Sequence, residues 1–299
     1  MTLRSPYVRL LGLGAVWGTS FLLIKVALEG LPPLGIALGR SVAGAAVLWA
    51  YVALTRRRVP RDPRTWGALA VAGMFANAIP FALFSWGELH VTSGIAGIYN
   101  ATTPLFTVAI AIAFLPSERA TAERLAGLLL GFAGIVVVLG PWRGAGENTI
   151  LGQAACLGAG ASYGVGLVYV RRRISPLKLD VVAQTACQLT AACVVLAVGL
   201  AFTGGDVDLQ PDVVGAVLAL GAIGTGLALI VYNGLIRDVG ATSTSLVTFV
   251  VPPIAVALGA LTLGEPVTWN LFVGAAVVVL GVALAEGRLR RTRPAPAAP

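Results

Sequence analysis

Apolar residues in this chain fall into long blocks rather than into the alternation of a half-buried strand. Ten blocks are long enough, at about 20 mostly apolar residues, to cross a bilayer as helices. They cover residues 8–28, 33–54, 65–87, 92–115, 122–140, 149–170, 179–202, 212–235, 240–263 and 267–286. The polar stretches between them are short, and none is long enough for a separate soluble domain. The pattern predicts an all-α membrane protein with ten transmembrane helices. The first block follows Arg4 and Arg9, as in a secretory leader, but runs on to about residue 28 without a small-residue cleavage site, so it reads as an uncleaved span.

Charge placement strengthens the count. With the N-terminus inside, eighteen of the 21 Lys and Arg fall in inner segments. The largest groups are Arg56, Arg57, Arg58, Arg61 and Arg64; Arg171, Arg172, Arg173 and Lys178; and Arg288, Arg290, Arg291 and Arg293. Arg143 alone falls in an outer loop, and Lys25 and Arg40 lie inside spans. A missed or invented helix would invert every later loop and erase this asymmetry. Both termini are therefore expected in the cytoplasm. The net charge of +8 follows from this rule, which removes the reason to invoke nucleic acid. The partners expected are the bilayer and a small-molecule solute.

Composition adds little more. Hydrophobic residues make up 57% and charged residues 11%, against about 25% charged in soluble domains. Cys156, Cys187 and Cys193 lie in apolar runs with no CxxC pair, and His90 has no Cys or His neighbour, so no metal site and no cofactor are expected. Arg outnumbers Lys 19 to 2, and Ala, Gly and Val are in excess, as in GC-rich bacterial genes. The expected location is a bacterial inner membrane.

The two halves resemble each other. At an offset of 148, Gly67, Gly73 and Pro104 meet Gly215, Gly221 and Pro252; at 147, Glu118, Gly127 and Gly134 meet Glu265, Gly274 and Gly281. Five spans per half is an odd number, so the second half enters from the opposite face. The expectation is two inverted five-helix repeats, 1–145 and 146–299, the second ending in a short basic tail. Such repeats are typical of secondary transporters.

Several motifs carry a family resemblance. They are Trp17-Gly18-Thr19-Ser20-Phe21 followed by Lys25; Arg40 in the second span; Pro104 followed by Phe114-Leu115 and Glu118; and Pro252 followed by Leu263-Gly264-Glu265-Pro266. In this order the chain resembles the drug/metabolite transporter superfamily, in particular its EamA-type ten-helix members. The first Pro-to-Glu copy departs, with Pro116-Ser117 where one residue is usual. The resemblance implies movement of small metabolites, amino acids among them, by alternating access.

The residues themselves nominate a site. Lys25 is close enough to a helix end to snorkel or to pair with Glu29. Arg40 sits about 10 Å deep and has Glu29, Glu88 or a substrate anion as candidate partners. No carboxylate sits at mid-span, so coupling to protons, if it exists, falls to Glu88 or Glu118 at span ends; exchange against a counter-substrate is the alternative. Glu118 and Glu265 read as helix-end residues. Pro104 and the Pro252-Pro253 pair are expected to kink or gate the fourth and ninth spans at matching positions. Polar residues cluster nearby, at Tyr99, Asn100, Thr102 and Thr103, and from Thr242 to Thr248. With Trp17, Arg40, Asn77, Tyr163, Gln184, Gln188, Tyr232 and Asn233 they form the expected substrate cavity. For each polar residue, interhelical hydrogen bonding is the structural alternative. Gly127-x-x-x-Gly131 suits either a homodimer face or packing within the chain. A membrane enzyme, or a receptor or scaffold that transports nothing, are the competing functions; one histidine and no mid-span acid weigh against the enzyme.

Overall fold

The computed structural model describes residues 5–116, 118–143 and 148–287. Arg4, Ser117, Arg288, Arg290, Arg291 and Arg293, and with them the basic tail, lie outside these residues, as do the side chains of Arg143 and Thr242. Among the described residues every regular element is helical. Eight helices are long and apolar enough to cross a membrane: α1 Pro6–Ala27, α2 Pro33–Leu54, α3 Pro63–Gly87, α4 Ser93–Phe114, α5 Ala122–Leu139, α6 Ile150–Leu177, α7 Val181–Thr203 and α8 Pro211–Gly240. Two apolar helices of 17 residues follow, α9 Val247–Leu263 and α10 Trp269–Ala285.

Local chemistry explains the starts. Pro6, Pro33, Pro63 and Pro211 occupy first positions, where a missing N–H costs nothing. Asp62, Thr92, Thr121, Thr149 and Asp180 cap α3, α4, α5, α6 and α7 by accepting from backbone N–H groups of the first turn.

The helix predicted over 240–263 is broken near its start. Gly240, whose φ of 82° only glycine adopts freely, ends the preceding helix; a helical turn then reaches Thr244, and a turn at Ser245–Leu246 separates it from α9. The expectation that prolines interrupt the fourth and ninth helices at matching positions is corrected too. The break in α4 is at Ala101–Thr102, and Pro104 lies in the first turn of the piece that follows, where its ring is tolerated. Pro252 and Pro253 sit inside α9, well after the turn at Ser245–Leu246.

The main packing pairs run between the halves, and exchanging the halves maps them onto one another. α1 packs on α9 as α6 packs on α4; α2 packs on α8 as α7 packs on α3; α1 packs on α8 as α6 packs on α3. The pairs α2–α7, α4–α9 and α5–α10 map onto themselves. Small residues permit the closest of these. Added side chains at Gly127 and Gly281 would collide with the backbones of Ala285 and Gly131, and one at Gly134 would lie 2.6 Å from the Val278 backbone nitrogen. Gly127 thus packs within the chain, against α10.

The five odd-numbered connections gather at one end of the bundle. Asp208 N donates to Gly30 O at 2.8 Å, Thr149 N to His90 O at 3.0 Å, and Trp142 stacks on Trp269 with centroids 6.3 Å apart. The opposite end carries the arginine-rich loops, joined by Arg57–Asp180 at 3.0 Å and Arg9–Asp238 at 2.7 Å.

Candidate functional site

Arg40 of α2 is held by residues of α8 and α3. Its Nε donates to Thr225 Oγ1 of α8 at 2.9 Å, and its guanidinium lies over the Phe81 ring of α3, 4.1 Å from the centroid. A desolvated contact of that kind contributes about 2 kcal/mol. Tyr163 of α6 and Glu88 lie within electrostatic range of it. Neither Glu29 nor Glu88 forms an ion pair with it, so those proposed partners give way to Thr225.

Trp17 bonds the residue next to Thr225. Its Nε1 donates to Gly224 O at 3.1 Å, and its ring lies 5.4 Å from that of Tyr232. Tyr163 faces Phe84 at 6.3 Å, and Phe84 in turn faces Phe21 at 5.6 Å. Asn77 is 6% exposed and lies in a π-helical stretch, Met74–Ala78, that widens α3. α8 carries a π-helical stretch over Ala219–Leu227. Such bulges occur frequently at functional sites. Gln188 of α7 is 5% exposed, and its Nε2 has no hydrogen-bond partner among the described residues.

These residues are related in pairs. At the offset of 148, Asn77 corresponds to Thr225, Arg40 to Gln188 and Phe84 to Tyr232. At 146, Gly14, Gly18 and Trp17 correspond to Gly160, Gly164 and Tyr163. The contacts follow the pairing. Gly14 faces Val250 and Gly18 faces Ile254, while Gly160 faces Thr102 and Gly164 faces Phe106. Gly221 approaches the Arg40 backbone as Gly73 approaches that of Gln188. Trp17–Tyr232 and Tyr163–Phe84 are the same ring contact made twice. Thr225 and Phe81 carry no sequence signal of their own; the repeat offset, carried past Asn77, points to Thr225.

Other predicted residues go elsewhere. Tyr99 is 0% exposed and donates to Gln153 Oε1 at 2.5 Å, so its hydroxyl is a tie between α4 and α6. Thr103 Oγ1 is buried without a partner among the described residues. Thr248 donates to Ser245 O at 2.7 Å, bracing the turn before α9. Asn100, Gln184 and Asn233 are part-buried. A surface cleft of about 570 Å³ lies apart from all of them, between residues 56–60 and 178–180.

The two ends differ in one contact. Glu265, just past α9, accepts from Ser93 N at 2.7 Å, Ser93 Oγ at 2.8 Å and Gly94 N at 3.2 Å, and so caps the first turn of α4. Beside it Lys25 Nζ donates to the Glu88 backbone carbonyl at 2.5 Å, which replaces the expected pairing with Glu29. Glu88 itself is 0% exposed. Glu118, the counterpart of Glu265, instead pairs with Arg124 and Arg171, each at 2.6 Å. Arg171 is the counterpart of Lys25 at the offset of 146.

A sequence profile described as the EamA-like transporter family matches residues 5–140 and again 150–286. Curated relatives span the chain. "Uncharacterized transporter YvbV" of Bacillus subtilis is 26% identical over 94% of this chain and 91% of its own length. "Uncharacterized inner membrane transporter YedA" of Escherichia coli is 28% identical over 92% and 88%. A protein of Streptantibioticus cattleyicolor named "Probable terminal-alkyne amino-acid exporter" is 27% identical over 91% and 90%. A solved crystal structure, 23% identical, shares the fold with a TM-score of 0.65 over 97% of this chain and 100% of that one.

Proposed function

The chain belongs to the EamA-like transporter family, a multi-pass membrane protein, and from that premise we propose that it exports small organic solutes, amino-acid-like compounds among them, by alternating access across a bacterial inner membrane. In this reading ten helices cross the bilayer as two inverted repeats, residues 1–145 and 146–299, with both termini in the cytoplasm. The charge asymmetry of the loops and the exchange of packing pairs between halves support it. The driving force is a proton or a counter-substrate.

The observation that carries the proposal is the unequal use of equivalent carboxylates. Glu265 caps α4 at the end bearing Glu88, whereas Glu118 pairs with Arg124 and Arg171. One sequence element thus stands in two arrangements in one molecule. Exchanging them gives the opposite state: Glu118 caps the backbone past Gly240, and Glu265 turns to Lys25. The bundle then opens at the Glu88 end and closes at the arginine-rich end. Two similar halves make these states close in energy.

A disulfide tests the cycle. A Cβ at Gly94 would stand 3.6 Å from that of Val256 on α9, within disulfide range. In a chain with the native cysteines replaced by alanine, Gly94→Cys with Val256→Cys is expected to cross-link on oxidation and to stop efflux of metabolites from loaded proteoliposomes. Reductant restores it. Efflux equal to that of empty vesicles for every solute in a broad panel overturns the transporter reading. Undiminished efflux by the cross-linked protein overturns the cycle.

A further inference from the structure

We infer that Arg40 is the docking point for a single carboxylate on the transported solute, an inference that rests on the transporter reading above. A guanidinium has five N–H donors in a rigid fork. Here the Nε donor is taken by Thr225 Oγ1, and one face of the plane by the Phe81 ring. Among the described residues Nη1 and Nη2 donate no hydrogen bond, and no carboxylate lies within ion-pair distance. Thr225 and Phe81 therefore fix the orientation of the group and leave its outer edge vacant. That edge matches the two oxygens of a carboxylate.

Deep in a bundle, a cation without a counter-ion is costly. Evolution can retain it where the counter-ion arrives with the ligand. Glu88 forms no ion pair with Arg40, and Lys25 donates to the Glu88 backbone carbonyl. A second group points the same way. The side-chain amide of Gln188, the counterpart of Arg40 in the other half, is nine-tenths buried with Nε2 unpartnered among the described residues. The two equivalent positions thus hold a fixed cation and a neutral donor, both unspent.

The charge supply sets the class of anion. Arg40 and Lys25 are cations set in the helices away from the arginine-rich end, and Lys25 donates to a backbone carbonyl. One free positive charge suits a monocarboxylate better than a phosphate dianion. The aromatic surroundings, Trp17, Phe84, Tyr163 and Tyr232, suit an apolar body attached to it.

A panel of defined compounds tests the assignment. Purified wild-type protein is screened by thermal shift against apolar and aromatic amino acids and simple carboxylates, their methyl esters and amides, and inorganic phosphate. At least one carboxylate is expected to raise the melting temperature in a saturable manner, with its ester and amide inert. Arg40→Gln should weaken that binding by about tenfold or more, the loss of one charged hydrogen bond. Arg40→Lys, which keeps the charge without the fork, and Thr225→Val, which removes the tether, should give intermediate losses and report even if Arg40→Gln folds poorly. Equal stabilisation by ester and acid, unchanged binding in all three variants, or response to phosphate alone overturns the assignment. If wild-type proteoliposomes export a solute that has no carboxylate, and Arg40→Gln exports it equally, this inference fails while the transporter reading stands. If wild type exports nothing, the transporter reading itself fails.

Discussion

Single side chains here divide into ties and unspent groups. Tyr99 is a tie. Tyr99→Phe would leave Gln153 Oε1 without its donor in a site 3% exposed, and a loss of about 1–3 kcal/mol is expected, read as a lower melting temperature in detergent. Glu118 is a tie at the surface. The hydrogen bond from Arg124 and then the charge and hydrogen bond of Arg171 hold its carboxyl below the usual glutamate range. A depressed carboxylate contributes stability in full above its unfolded value, about 4.3, and loses it as the pH falls through the lower folded value. The stability difference between wild type and Glu118→Gln should therefore be constant above about pH 5 and vanish in stronger acid, as melting curves across pH would record. Arg40 was legible from its depth alone. Its partner Thr225 was not, because threonine is commonplace in membrane helices and only the repeat offset singles it out.

Helices were legible where hydropathy decides them and opaque where backbone geometry does. Among the described residues, the first eight apolar blocks fall on helices long and apolar enough to cross a membrane and the last two on apolar helices of 17 residues, because a bilayer-length apolar run has few alternatives. The π-helical stretches at Met74–Ala78 and Ala219–Leu227 leave no mark in hydropathy, and neither do the kink at Gly240 and the turn at Ser245–Leu246 ahead of α9. Prolines misled for a related reason: ring and missing donor are harmless in a first turn, so Pro104 starts a helical piece instead of bending one. Close approach next to the bulges makes a specific demand. Gly73→Ala would drive a methyl into the Gln188 carbonyl, and Gly221→Ala one into Ala43 and the Arg40 carbonyl. Each is expected to lower stability by about 1–3 kcal/mol through overpacking, whereas Gly67→Ala and Gly215→Ala, which meet nothing within 4 Å, should not.

For the whole molecule, the sequence carried the family and the repeat, since both rest on the order of residues along the chain. The contact between Glu265 and Ser93, residues 172 positions apart, could not be read there, and neither could the different partners of the equivalent Glu118, Arg124 and Arg171. The threading predicts that an impermeant label applied to intact cells reaches cysteines placed at Asp208 and Asn148 and spares ones at Arg58 and Leu177; labelling of Arg58 and Leu177 from outside would reverse the proposed orientation.

The packing pairs that join α5 to α10, α2 to α7 and α1 to α9 all cross from the first half to the second. Neither half is a folding unit with a finished core. Produced separately, each would present bare glycine-lined grooves to lipid and be degraded. Produced together, from a gene interrupted within residues 144–147, the two fragments should rescue one another and co-purify through a tag on one alone. The interlocked architecture thus makes this chain a covalently tied version of a two-subunit assembly.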